Sequence, residues 1–178
     1  MINYLTTPLL YSALVVATLG FTGTTVQAQQ AQDFADAQIH ILPVSGNIYM
    51  LVGPIGNSTI QIGDDGVLII DTQFAALSDR ILAAIATLTD KPVRYIINTH
   101  SHEDHTGGNG PLALAGSTIS GGNVNGDIQD AGMRATIIAH ENALFQMLAM
   151  KPAPPSQAMP FDTFFQAQKD LYFNGEGV

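Results

Sequence analysis

Residues 99–109 read Thr-His-Ser-His-Glu-Asp-His-Thr-Gly-Gly-Asn, and this segment carries the clearest chemical signal in the chain. His100, His102 and His105 fall within six positions, with Asp104 among them. Imidazole is the commonest metal ligand near neutral pH, and carboxylate is its usual oxygen partner. Four such side chains so close together predict a metal site, and two ions are the expected number. The alternative is a polar surface loop whose histidines are solvated.

The residues before this segment place it at the end of a strand. Residues 92–98, Pro-Val-Arg-Tyr-Ile-Ile-Asn, are rich in apolar, β-branched and aromatic side chains, which is typical of a buried strand. If the backbone stays extended past this strand, His100 and His102 point to the same side. Gly107 and Gly108 then permit a turn and a close backbone approach. Ligands just beyond the carboxyl end of a strand occupy the usual place of an active site in a layered α/β fold.

The pattern His-x-His-x-Asp-His at residues 100–105, followed by Thr-Gly-Gly-Asn at 106–109, resembles the signature of the metallo-β-lactamase superfamily. Residues 66–72, Gly-Val-Leu-Ile-Ile-Asp-Thr, resemble the early strand of that family, which ends in an aspartate near the metals. The general layout is similar from about Ile39 to the C-terminus. The resemblance implies an α/β fold of the αββα sandwich type, with the metals at one edge of its two sheets.

The same resemblance implies roles for individual residues. His100 and His102 match two of the three histidines that hold a first zinc ion, and Asp104 and His105 match ligands of a second. Asp71 matches a carboxylate outside the ligand set that supports the ligand loop. The alternative is that Asp71 simply caps the segment that follows its strand.

The family completes its metal site with another histidine, a bridging carboxylate or cysteine, and a last histidine, all from a later part of the chain. We find no match for these three ligands. His140 lies at a predicted junction of strand and helix, before the place of the missing ligands, and we interpret it as a residue that begins a helix. His40 stands alone in a predicted strand and is interpreted as structural or solvated.

The C-terminal residues 171–178 read Leu-Tyr-Phe-Asn-Gly-Glu-Gly-Val. Asn-Gly after an apolar and aromatic run predicts a β-hairpin, yet only Val178 is left as the apolar start of a return strand. We therefore expect residues 39–178 to be the N-terminal half of a metallo-β-lactamase-like domain, incomplete at its C-terminus. The alternative is a disordered tail that happens to contain Asn-Gly.

The N-terminal residues 1–28 contain no charged side chain, and their middle part is mostly apolar. Val-Gln-Ala at 26–28 provides small residues at the usual cleavage spacing, so this segment is predicted to be a signal peptide. Residues 29–38 are predicted to be a polar linker. Export implies a periplasmic or secreted protein without stable membrane association after cleavage. The alternative is an uncleaved anchor, although the apolar core is short for a membrane span.

Composition restricts the class of partner. The formal net charge is −9, and the six Lys and Arg residues are scattered along the chain. Nucleic-acid binding needs clustered positive charge, so nucleic acid is not expected as a partner, and a small-molecule substrate is. The chain contains no cysteine and therefore no disulfide.

Periodicity predicts the remaining elements. Two strand pairs, a helix facing a sheet, a short helix, a Gly-rich surface insertion, a strand, a third helix and a proline-rich loop are expected in that order. Their predicted ranges are 39–44, 47–52, 57–62, 66–70, 78–88, 111–115, 116–132, 135–139, 141–150 and 151–160.

We expect the full-length protein to be a zinc-dependent hydrolase that attacks a carbonyl substrate, such as a β-lactam, lactone or thioester, through a metal-bound hydroxide. Asp104 is the candidate catalytic residue, because it could also orient or deprotonate the nucleophile. The chain as given is expected to be inactive alone. The alternative is a non-catalytic metal-binding or partner-binding remnant.

Overall fold

A computed structural model of the chain describes residues 34–118 and 134–178. The predicted signal peptide (1–28) and most of the predicted Gly-rich insertion (116–132) lie outside the described residues. Within the two described ranges, no helix has both the length and the apolar character needed to cross a bilayer.

Seven strands form one mixed sheet in which every strand pairs with its neighbours in the chain. The first four strands are antiparallel to one another, whereas the fourth to the seventh run parallel. Their order matches the predicted strand pairs. The strands are β1 (His40–Ser45), β2 (Ile48–Val52), β3 (Asn57–Gly63), β4 (Gly66–Ile70), β5 (Val93–Asn98), β6 (Thr136–His140) and β7 (Asp162–Phe164).

Parallel strands need crossover connections, and helices provide most of them. The predicted helix at 78–88 is confirmed as Ser78–Ala86, and the predicted short helix begins two residues earlier than expected, at Asn109. The helices are α1 (Ser78–Ala86), α2 (Glu103–Thr106), α3 (Asn109–Leu114) and α4 (Glu141–Ala149), with 3₁₀ turns at Ala75–Leu77 and Ser156–Ala158. The mixed α/β fold expected from the sequence is thereby confirmed.

The core lies between one face of the sheet and helices α1 and α3. Ile81 and Ile85 of α1 and Leu112 of α3 are buried against strand residues such as Ile69 and Ile96. Burying each of these side chains contributes roughly 1.5–3 kcal/mol. This packed layer holds β4 and β5 in register, and the segments that follow these two strands carry the candidate site.

Described residues of the predicted linker 29–38 pack against the core. Phe34 is buried and its ring lies 5.4 Å from that of Phe74, measured between centroids. Ala37 packs against the same core. A single aromatic residue in a polar segment gives no periodic pattern, so its burial follows only from contacts with residues distant in the sequence.

The C-terminal hairpin forms, and the expectation that it lacks a return strand is wrong. β8 (Tyr172–Phe173) pairs with β9 (Glu176–Gly177) around the Asn-Gly turn, and Leu171 and Val178 exchange two backbone hydrogen bonds. The hairpin docks on the main sheet, where Phe173 meets Tyr95 edge-to-face at 5.1 Å between centroids. A return strand of only two residues is long enough for the hairpin, because its docking on the main sheet stabilises the turn.

Candidate metal centre

The candidate site lies at the carboxyl edge of the parallel strands. Asp71 directly follows β4, and Thr99 and His100 directly follow β5. Because β4 and β5 run parallel, their carboxyl ends meet at one edge of the sheet. The topology therefore brings together two segments that are about thirty residues apart in the sequence.

His100 and His102 form a pair. His100 Nε2 lies 3.1 Å from His102 Nδ1, and their ring centroids are 4.7 Å apart. The two rings are nearly perpendicular, at 80°. The two side chains thus meet as the alternation argument predicted, although the strand itself ends at Asn98.

Asp104 and His105 form a second pair beside the first. His105 Nε2 lies 3.3 Å from Asp104 Oδ2, and the centroids of the His100 and His105 rings are 4.0 Å apart. Both residues belong to α2, the single helical turn that follows the extended residue His102. All four predicted ligands are therefore close together.

The donor chemistry of both pairs fits zinc. Two nitrogens bound to one zinc ion at about 2.0–2.1 Å with tetrahedral geometry stand about 3.3 Å apart. The separations of 3.1 Å and 3.3 Å match this spacing. Each pair is a partial ligand set, because among residues 34–118 and 134–178 no group of three or more His, Asp or Glu side chains is arranged to hold a metal ion.

Asp71 connects the end of β4 to Thr99 and His105 of the metal loop, residues 99–108. Its Oδ1 accepts a hydrogen bond from the Thr99 backbone N–H at 2.8 Å, and its Oδ2 accepts from Thr99 Oγ1 at 2.6 Å. His105 Nδ1 lies 2.7 Å from the same Oδ2. Asp71 is 6% exposed and has a left-handed backbone, with φ of 59°. A non-glycine residue held in this region costs of the order of 1 kcal/mol, and such strain concentrates at functional sites.

A network of buried polar side chains holds the metal loop against the rest of the fold. The Asn98 and Asn109 side chains exchange two hydrogen bonds, of 2.9 Å and 2.8 Å. Thr72 donates from its backbone N–H to the His105 carbonyl at 2.8 Å, and its hydroxyl bonds to Asn109 Oδ1. Asn109 also donates to the Ala158 carbonyl at 2.9 Å. Since these groups are buried, each lost partner leaves an unsatisfied polar atom that costs about 1–3 kcal/mol.

Gly107 and Gly108 allow the loop to approach the segment after β4, as predicted. A Cβ atom on Gly108 would lie 2.4 Å from the Thr72 carbonyl oxygen, and one on Gly107 would lie 3.1 Å from both the Ala75 backbone nitrogen and the Gln73 carbonyl oxygen. The φ angle of Gly108 is −80°, which any residue adopts. Glycine is therefore required here for close approach and not for an unusual backbone conformation.

Two histidines, His140 and His40, were not predicted to be metal ligands, and the structure shows their surroundings. His140 ends β6, its Nδ1 accepts from the Asn142 backbone N–H at 3.2 Å, and its ring meets Phe164 edge-to-face. The prediction that His140 begins a helix is confirmed. His40 is exposed on β1. Thr99 is the residue that sequence reasoning missed, because nothing in a lone threonine before His100 indicates contact with Asp71.

Comparisons with known proteins match the part of the chain that carries the candidate site. The family model of the metallo-β-lactamase superfamily matches residues 51–127, which contain both donor pairs. An alkyl/aryl-sulfatase of Saccharomyces cerevisiae is 37% identical over 71 residues, which are 38% of this chain and 11% of that protein.

Solved structures share the fold. A metallo-β-lactamase of Cronobacter sakazakii with a HARLDQ motif has a TM-score of 0.57 at 21% identity, over 79% of this chain and 52% of that one. The metallo-β-lactamase FIM-1 of Pseudomonas aeruginosa, in a mono-zinc form, has a TM-score of 0.51 at 16% identity, over 75% and 54%. A flavo di-iron protein of Thermotoga maritima has a TM-score of 0.54 at 14% identity, over 79% and 36%. The chain thus spans about half the length of the lactamases that it matches.

Proposed function

Since this chain belongs to the metallo-β-lactamase superfamily, we propose that the whole protein is a zinc-dependent hydrolase of a small-molecule substrate. One observation carries the proposal. The two donor pairs stand at the spacing of neighbouring zinc ligands, and they lie side by side at the carboxyl edge of the sheet.

In this proposal, His100 and His102 hold one ion, and Asp104 and His105 hold a second. Two protein ligands are fewer than the three that a catalytic zinc usually has. The remaining donors would come from parts of the whole protein outside the described residues. FIM-1 in its mono-zinc form and the flavo di-iron protein share the fold, and elemental analysis of the purified protein gives the identity and number of its ions.

A zinc ion supplies Lewis acidity, which makes water nucleophilic near neutral pH and stabilises negative charge on a reacting oxygen. The chain supplies orientation. Asp71 fixes the His105 ring through Nδ1, which leaves Nε2 facing Asp104. The Asp104 side chain is 38% exposed, so its carboxylate can reach solvent, orient an attacking water and accept its proton.

The first candidate substrates are carbonyl compounds, namely β-lactams, lactones and thioesters. A second candidate is an alkyl or aryl sulfate ester, because the yeast relative with 37% identity over 71 residues is a sulfatase. Both reactions use the same activated water.

The test uses the full-length protein with its zinc removed by a chelator and then restored. A chromogenic cephalosporin, an aryl lactone, an aryl thioester and p-nitrophenyl sulfate are assayed in parallel. We expect turnover of one class that disappears on chelation and returns with zinc. Turnover of the sulfate alone would favour the second candidate.

Two results would contradict the hydrolase proposal. Zinc binding without turnover of any of the four substrate classes would favour the non-catalytic alternative. A protein that contains only iron and hydrolyses none of them would favour a non-hydrolytic iron protein of the same fold, as the flavo di-iron protein is named.

A further inference from the structure

We propose that Thr99 is a positioning residue whose hydroxyl group links Asp71 to His100, so that one carboxylate sets the ring orientation in both donor pairs. The inference rests on the proposed function, because it concerns histidines proposed as zinc ligands.

The hydrogen bonds of the Thr99 side chain define the link. Thr99 Oγ1 lies 2.6 Å from Asp71 Oδ2 and 3.1 Å from His100 Nδ1. A carboxylate oxygen can only accept, and a hydroxyl group has one proton to give. Thr99 therefore donates to Asp71 and accepts from His100. It follows that His100 carries its proton on Nδ1, and that the lone pair of Nε2 faces His102.

This tautomer is the one that zinc requires. A ring nitrogen binds a metal through its lone pair, and the hydrogen bond of the other nitrogen decides which one is available. Without an acceptor at Nδ1, the proton could move to Nε2 and block the position that faces His102. The Thr99 hydroxyl thus keeps the metal-facing nitrogen of His100 free.

The backbone around Thr99 holds the hydroxyl in place. The Thr99 N–H donates to Asp71 Oδ1 at 2.8 Å, and the Thr99 hydroxyl donates to Oδ2. Both oxygens of one carboxylate are therefore hydrogen-bonded to the same residue. The β-branched threonine side chain also has few χ1 rotamers. The hydroxyl is consequently fixed relative to Asp71, which is itself buried.

His105 reaches the same carboxylate directly. Its Nδ1 lies 2.7 Å from Asp71 Oδ2, the oxygen that also accepts from Thr99. Asp71 therefore acts on one pair directly and on the other through Thr99. A change at Thr99 should disturb His100 and leave His105 in place, and this selectivity separates a positioning role from a general structural one.

The test compares Thr99→Val, which has nearly the same shape without the hydroxyl, with Thr99→Ser, which keeps it. Thr99→Val removes the hydrogen bond to the buried Asp71 carboxylate and should lower the melting temperature modestly, whereas Thr99→Ser keeps the bond and should melt like the wild type. In metal-free full-length protein, nitrogen-15 NMR of the histidine rings reports which nitrogen carries the proton. Competition with a chromophoric chelator then gives the zinc dissociation constant.

We expect Thr99→Val to lose the Nδ1–H form of His100, keep that of His105, and bind zinc about 10- to 100-fold more weakly. Thr99→Ser should resemble the wild type in both measurements. Wild-type tautomers and affinity in Thr99→Val, or loss of the His100 tautomer in Thr99→Ser, would overturn the inference. If the wild type binds no zinc, the proposed function fails, while the NMR result still decides the role of Thr99.

Discussion

Replacing Asp71 by Asn should damage both donor pairs at once. The substitution keeps the size of the side chain and removes one acceptor oxygen. If the remaining oxygen keeps the bond from the Thr99 backbone N–H, the new amide NH₂ faces Thr99 Oγ1 and His105 Nδ1. His105 must then move its proton to Nε2, the nitrogen that faces Asp104, or lose the hydrogen bond between its Nδ1 and residue 71.

The expected loss of stability in Asp71→Asn follows from the hydrogen bonds that the substitution removes. Hydrogen bonds to charged groups contribute about 1.5–3 kcal/mol each, but Thr99 is exposed and His105 is 29% exposed, so solvent replaces part of each bond. We expect the free energy of unfolding to fall by about 2 kcal/mol. In a domain of about 150–250 residues that lowers the melting temperature by roughly 4–8 °C, and the longer full-length protein should show a smaller fall. Zinc affinity should fall about 10- to 100-fold.

The assay measures thermal unfolding of the metal-free full-length protein and zinc competition with a chromophoric chelator. Asp90→Asn makes the same chemical change at an exposed site in the loop between α1 and β5, and it should match the wild type in both assays. An Asp71→Asn protein with wild-type melting and wild-type zinc affinity would refute the role of this carboxylate.

Three further predictions concern the loop, the N-terminus and the chain alone. Gly108→Ala would place a Cβ atom 2.4 Å from the Thr72 carbonyl oxygen, so urea unfolding should show a loss of roughly 1–3 kcal/mol. Gly177→Ala, which meets nothing within 4 Å, is its control, and equal stabilities would contradict the close-approach argument. Mature protein from the periplasm should begin at Gln29, whereas an intact Met1 on membrane-bound material would support an anchor. Residues 29–178 alone should show no zinc-dependent turnover, because each donor pair is one ligand short of the usual three; activity on any of the assayed esters, lactams or sulfates would disprove this.

Local patterns in the sequence predict most of the fold. The strands from β1 to β6 and helix α1 follow from alternation and helical spacing, and their ends lie within a few residues of the predicted bounds. The glycine pair after the histidines correctly predicts a close approach to another segment. These features depend on neighbouring residues, whose periodicity is visible in the sequence.

Features that depend on distant contacts could not be read from the sequence. The burial of Phe34 depends on Phe74, and the return strand of the last hairpin depends on docking near Tyr95. The hydroxyl of Thr99 gains its role only because β4 and β5 are adjacent and parallel, which brings Asp71 beside it. The four histidine and aspartate positions of the loop were predicted together because they are adjacent in the sequence.

The central claim is that His100, His102, Asp104 and His105 hold the metal, and elemental analysis of His102→Ala tests it most directly. Full-length wild type, His102→Ala and His40→Ala are purified in parallel and dialysed against the same zinc buffer. His40 is the matched control, because it is an exposed histidine on β1. We predict that His102→Ala loses most of its zinc while His40→Ala retains the wild-type content. Wild-type zinc content in a folded His102→Ala protein would contradict the account.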